Sequence, residues 1–172
     1  MLRNDYELGI SLHEQFLERE PGNALALYHL GYAYGHVGDH SEEVSSYEKA
    51  VELGYAEWSL FFNMGMAYCE LNDAGKAIAS FKRALEIDPT NADGHYGLGL
   101  AYQMAGPDRL AEEEFLEALA LEPEHVDARL MLAMLYVDQG DLQKAVQHVR
   151  KVLEIDPENS KAQDLLRRIE TE

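Results

Sequence analysis

Shifted by 34 residues, this chain falls into register with itself four times over, and that repetition restricts its fold more than any other feature. Leu30, Met64, Leu98 and Leu132 share one column. Gly31, Gly65, Gly99 and Ala133 share the next, and Tyr34, Tyr68, Tyr102 and Tyr136 a third. Further along the unit come Ala77, Ala111 and Ala145, then Tyr47, Phe81, Phe115 and Val149, then Ala50, Ala84, Ala118 and Val152, and finally Pro89, Pro123 and Pro157. A unit this short cannot bury its apolar face alone, so neighbouring units must stack and share a core.

These columns resemble the tetratricopeptide repeat. The resemblance covers four tandem units from Ala24 to Asn159 and implies an all-α fold, a right-handed superhelical solenoid of antiparallel helix pairs. The expected organisation is a single domain spanning 1–172. It has an N-terminal half-repeat helix (1–23), repeats at 24–57, 58–91, 92–125 and 126–159, and a C-terminal capping helix (160–172), nine or ten helices in all.

Local signals agree with that division. Apolar spacing predicts a helix from Asn4 to Arg19, then pairs over Ala24–Val37 and Ser41–Leu53, Trp58–Leu71 and Ala74–Ile87, Ala92–Ala105 and Arg109–Leu121, Val126–Gln139 and Leu142–Ile155, and a last helix over Ser160–Ile169. Gly38-Asp39, Asn72-Asp73 and Gly140-Asp141 each supply a residue tolerant of the left-handed conformation to end one helix and a carboxylate to cap the next. The third corner is Gly106-Pro107-Asp108, where proline suits a turn and Asp108 a cap. Asn23, Asn91 and Asn159 read as caps of first helices. The glycine column costs about 1 kcal/mol per residue relative to alanine, so close helix contact against Ala77, Ala111 and Ala145 must offset it. Repeat one departs by placing Glu43 in the alanine column, where a buried carboxylate must lean outward or find a hydrogen-bond donor. The second repeat begins after another departure, Gly54-Tyr55, in which glycine can still end the helix.

Charge narrows the partners. Against 14 basic residues stand 32 acidic ones, a formal net charge of −18, which disfavours nucleic acid and anionic membranes and favours basic or apolar partners. No apolar run is long enough for membrane insertion. The one cysteine, Cys69, rules out an intrachain disulfide framework and fits a reducing compartment, so the chain reads as cytoplasmic.

No catalytic residues, metal ligands or cofactor motif emerge. The glycines fall at packing positions rather than in a phosphate loop, and there is no nucleophile elbow or zinc-binding helix motif. His36 and His40 are four apart, but the Gly38-Asp39 turn between them breaks the one-face geometry of a continuous helix. Cys69 has no cation near it in sequence to activate its thiol. The expectation is a protein that is not an enzyme.

In the resembling family, the first helices of successive pairs line a concave, peptide-binding groove. By helical phase its lining here is Tyr28, Tyr32, Gly35 and His36, then Phe62, Asn63, Met66 and Cys69, then Tyr96, Gly97, Leu100 and Met104, then Leu130, Met131, Met134 and Val137. Glu70, Asp93, Asp127 and Asp138 rim it. An aromatic, methionine-rich lining with an acidic rim predicts a non-catalytic interaction scaffold that holds an apolar, or apolar and basic, peptide or helix of a partner protein, with Phe62, Met66, Tyr96 and Leu100 as the strongest anchors. One branch of the family grips acidic chaperone tails with two lysines, an arginine and two asparagines. Here only Asn63 matches that set, and Tyr28, Asp93 and Gly97 stand where cations are needed. Two alternatives remain: a homo-oligomer formed through the groove, and a holder of hydrophobic secretion substrates, a branch similar in size and acidity.

Overall fold

The computed structural model describes residues 2–106 and 108–171, with side chains from Asp5 onward, so the expected stiff corner at Pro107 lies outside the described residues. Among the described residues there are ten helices and no strand: α1 (Leu2–Arg19), α2 (Ala24–Val37), α3 (His40–Glu52), α4 (Trp58–Glu70), α5 (Ala74–Ile87), α6 (Ala92–Ala105), α7 (Asp108–Leu121), α8 (Val126–Asp138), α9 (Leu142–Ile155) and α10 (Ser160–Thr171). Two compact units are present, Met1–Pro89 holding α1 to α5 and Thr90–Glu172 holding α6 to α10. In each unit, two complete helix pairs are completed by one further helix, α1 before the first pair and α10 after the last.

The helices end where local chemistry ends them. Gly38, Gly54, Gly106 and Gly140 all take positive φ, and so does Asn72 at 57°. The carboxylates of Asp39, Asp73 and Asp141 accept from the backbone N–H three residues on, as do the side-chain oxygens of Asn23, Asn91 and Asn159. Asp108 is itself the first residue of α7, one position earlier than the sequence suggests. Helix α4 starts without a side-chain cap, since Glu57 replaces asparagine there.

The nearest neighbour of the small-residue column is an aromatic ring of the paired helix: a Cβ on Gly31 would lie 2.6 Å from the Tyr47 ring, one on Gly65 2.8 Å from Phe81, and one on Gly99 2.5 Å from Phe115, while the backbone oxygen of Glu43, in the alanine column, lies 3.0 Å from that of Gly31. All three rings are fully buried. Burying a ring of this size is worth about 1.5–3 kcal/mol, which exceeds the roughly 1 kcal/mol that a helical glycine costs. In the fourth pair the exchange runs the other way, with Ala133 opposite the smaller Val149, both buried.

Tyrosines tie one pair to the helix before it. The hydroxyl of Tyr34 donates to Glu14 of α1, that of Tyr68 to Glu48 of α3 and that of Tyr136 to Glu112 of α7, each at 2.7 Å. Glu14 and Glu48 are one repeat length apart, so α1 occupies the place of a second helix. Its inner side reaches the first core through Leu17, whereas Leu8, Leu12 and Phe16 remain exposed beside Leu25. At the other end α10 buries Ala162, Leu165 and Ile169 and turns Lys161, Asp164, Arg167, Arg168 and Glu170 outward, as expected of a cap.

Three substitutions test the ring-on-glycine contact. Gly99→Ala should lower unfolding free energy in urea by about 1–2 kcal/mol, overpacking outweighing the helix propensity gained, and Phe115→Val in that background should restore part of the loss. Gly9→Ala, with nothing within 4 Å of its new Cβ, should be neutral or stabilising. Equal effects at positions 9 and 99 would refute the account.

Candidate functional site

The first unit contains a cavity of about 360 Å³ lined by Tyr32, Gly35, His36, His40, Glu43, Tyr47, Asn63, Met66, Ala67 and Glu70, drawn from α2, α3 and α4. Five of the expected groove residues, Tyr32, Gly35, His36, Asn63 and Met66, meet here with the rim residue Glu70. Tyr32 is 44% exposed. Its ring meets His36 edge-on at 4.5 Å, and Tyr6 of α1 stacks on that imidazole at 4.1 Å and meets Tyr32 edge-on at 6.4 Å.

Glu43 lies at the inner end of this cavity with 7% exposure, and it finds a donor in His40, whose Nδ1 lies 2.8 Å from Oε2. The carboxylate rests on Gly35, where a Cβ would come within 2.6 Å of Oε1. Burial pushes the Glu43 carboxyl above the ordinary carboxylate range, with Glu70 adding to the shift and His40 opposing it. Next to it the Tyr47 hydroxyl, close to both Glu43 and Asn63, is buried and completes no hydrogen bond. Other expected lining residues of this unit serve its core. Tyr28 packs on Tyr47 and Tyr55, and Phe62 packs edge-on against Phe81 at 5.7 Å. Cys69 is half-buried, and burial raises its thiol to about 11, the reverse of what a reactive thiolate needs.

In the second unit Tyr96 and Leu100 pack half-buried on the core, Tyr96 facing Phe115 and His125. Met104 (39% exposed) and Met134 (41%) reach solvent. Leu130 is only 5% exposed and Gly97 is buried, so both serve the core. Leu130 and Met134 also line a cavity of about 260 Å³ with Leu165, Lys161, Asp164 and Arg168 of α10. Asp127 and Asp138 are exposed, whereas Asp93 lies 3.3 Å from Nε2 of buried His125.

Two features escape a sequence reading of side-chain types. His125 caps α8 by accepting from the Ala128 N–H at Nδ1 (3.2 Å). Its position in the column of Asn23, Asn91 and Asn159 carries that signal. On α8 and α9, Arg129, Gln147, His148, Arg150, Lys151 and Glu154 line a further cavity of about 430 Å³, a basic spot on an acidic chain. Burial and the charges of Arg129 and Lys144 hold His148 below its ordinary range. Among the described residues, no group of three or more His, Cys, Asp or Glu side chains could hold a metal ion, and no helix is long and apolar enough to cross a membrane.

Comparison with known proteins places this architecture. Residues 65–106 match the family described as TPR repeat, and residues 24–53 and 109–169 match the family described as tetratricopeptide repeat. A comparison with curated proteins gave no match. Among solved structures the chain is similar to MamA, at 25% identity over 93% of this chain and 94% of that one, with a TM-score of 0.84. It is also similar to YrrB, described as a TPR protein with an unusual peptide-binding site, at 22% identity over 95% and 84% with a TM-score of 0.81. A third likeness is to the first TPR of Spaghetti (RPAP3), bound to the HSP90 peptide SRMEEVD, at 23% identity over 67% and 94% with a TM-score of 0.65. The helix pairs, their glycine and aromatic columns, and these matches along most of the sequence make this chain a member of the tetratricopeptide repeat family, with the all-α solenoid fold of that family.

Proposed function

We propose that the chain is a non-catalytic interaction scaffold that holds an apolar, basic segment of a partner protein against the first helices of its pairs. The observation that carries this reading is the combination on those helices of solvent-reaching Tyr32, Met104 and Met134 with the exposed acids Glu70, Asp127 and Asp138. Apolar side chains without a packing role desolvate a partner, and methionine adapts to its shape. Acidic surroundings select basic flanks and speed encounter. Two neighbours of the same fold support the general role, since YrrB is described as having a peptide-binding site and the Spaghetti domain as bound to a peptide. The peptide in the latter ends in acidic residues, the opposite of what Glu43, Glu70 and Asp93 would accept here.

Self-association is the second reading, and a specific observation favours it: Leu8, Leu12, Phe16 and Leu25 form an exposed apolar strip along α1 and the start of α2. Light scattering over a concentration series separates the two. A concentration-independent monomer excludes it, and a dimer that dissociates on Leu12→Asp but not on Met66→Asp places the contact on α1 rather than on the groove.

The scaffold reading is tested by affinity capture from the source cell with wild-type protein and with Tyr32→Asp and Met134→Asp variants, whose exposed positions spare the cores. Loss of a shared set of partners is expected, and an unchanged set would sink the reading. For a captured partner, Phe62→Ala or Tyr96→Ala should weaken binding by about 1–3 kcal/mol, and Asp127→Lys should alter mainly the association rate and its salt dependence.

A further inference from the structure

The first repeat differs from the other three at three positions that the fold brings together. Gly35 stands in the column of Cys69, Gln103 and Val137, Glu43 in that of Ala77, Ala111 and Ala145, and Tyr47 in that of Phe81, Phe115 and Val149. The departures depend on one another. A side chain at position 35 would begin 2.6 Å from the Glu43 carboxylate, so glycine there is what admits the acid. The hydroxyl that separates Tyr47 from phenylalanine is fully buried, turned toward Glu43 and Asn63, and unbonded. An alanine and a phenylalanine would pack the same space without burying a carboxyl and an unpaired hydroxyl, both of which cost free energy.

The geometry points to this cavity as a socket for one basic side chain of the bound segment, the ammonium of lysine or the guanidinium of arginine. The inference rests on the scaffold reading above and names the chemistry of one contact within it. His40 occupies Oε2 of Glu43, leaving Oε1 for an incoming donor, while Tyr47 Oη supplies a neutral acceptor and Glu70 a second charge among the lining residues. Tyr32 offers its ring to the same cation. Two carboxylates repel an anion, and an apolar side chain offers no donor to Oε1 of Glu43 and no partner to the Tyr47 hydroxyl. A cavity of about 360 Å³ admits the end of a long side chain.

The test is an NMR titration of the full chain with three small probes, N-acetyl-lysine methylamide, N-acetyl-arginine methylamide and the neutral N-acetyl-norleucine methylamide. Saturable shifts at the amides of Tyr32, Gly35, Glu43 and Asn63 are expected with lysine, arginine or both and not with norleucine. They should weaken about tenfold in Glu43→Gln and by a smaller factor in Tyr47→Phe. No saturable shift at those amides, an equal response to norleucine, or a response indifferent to Glu43→Gln would each overturn the socket. Thermal melts check that the glutamine variant folds, and the ionisable groups around position 43 are His40 on its own helix, His36 and Tyr32 of α2, Tyr47, and Glu70 of α4. Because the folded state raises the Glu43 pKa, the ionised side chain destabilises the fold above the carboxylate range and not below it. Glu43→Gln should therefore melt higher than wild type at neutral pH, with the difference vanishing as pH falls through that range. The two readings fail separately. Capture sensitive to Met134→Asp with a negative titration leaves the scaffold and removes the socket, whereas a positive titration with capture indifferent to both groove variants removes the scaffold.

Discussion

Everything in this fold depends on an aromatic ring pressed onto a helix backbone. In three of the four pairs a glycine on the first helix gives up its side chain so that Tyr47, Phe81 or Phe115 can lie flat against the main chain, and the two helices are held at the distance the ring sets. The cost of the glycine falls on the isolated helix, and the gain appears only when the pair closes. Such a helix has little reason to form alone and good reason to form in a pair. In the fourth pair a larger Ala133 goes with a smaller Val149, both buried in one core, as conserved total volume requires.

A second level of order comes from polar groups at the margins of the cores. The hydroxyls of Tyr34, Tyr68 and Tyr136 each bond to a glutamate on the preceding second-type helix and not within their own pair. Ring burial supplies most of the energy, and the directional hydrogen bond adds a preference for one rotation of the helix over its neighbours. On a chain so rich in acid, pairing some carboxylates with neutral hydroxyls gives them hydrogen-bond partners without drawing on scarce cations.

Periodicity made much of this legible before any coordinates. The columns located every helix to within about two residues, and the short corner motifs located the caps, because a cap is a local event between neighbours in sequence. What sequence could not assign were contacts between columns. The alanine column was legible as a partner for the glycines, but not that the ring four residues later, one turn along the same helix, comes nearest to them. Leu130 shared the helical phase of the groove with Met134, but α10 and its core bury the leucine and leave the methionine at the surface. His125 went unread because an imidazole is an unusual replacement for asparagine, although both present an acceptor to the same N–H. Glu43 was visible as an anomaly, and only the structure showed Gly35 and His40 accommodating it.

The grouping of Gly35, Glu43 and Tyr47 in one repeat has a consequence for how a repetitive protein can be read by another molecule. Near-identical units present near-identical surfaces, so a segment that fits one unit fits the next about as well, and the register of binding is undetermined. A single unit carrying a differently shaped and differently charged pocket removes that degeneracy. For an extended segment bound along the array, such a pocket would serve as a first position from which direction and alignment are counted.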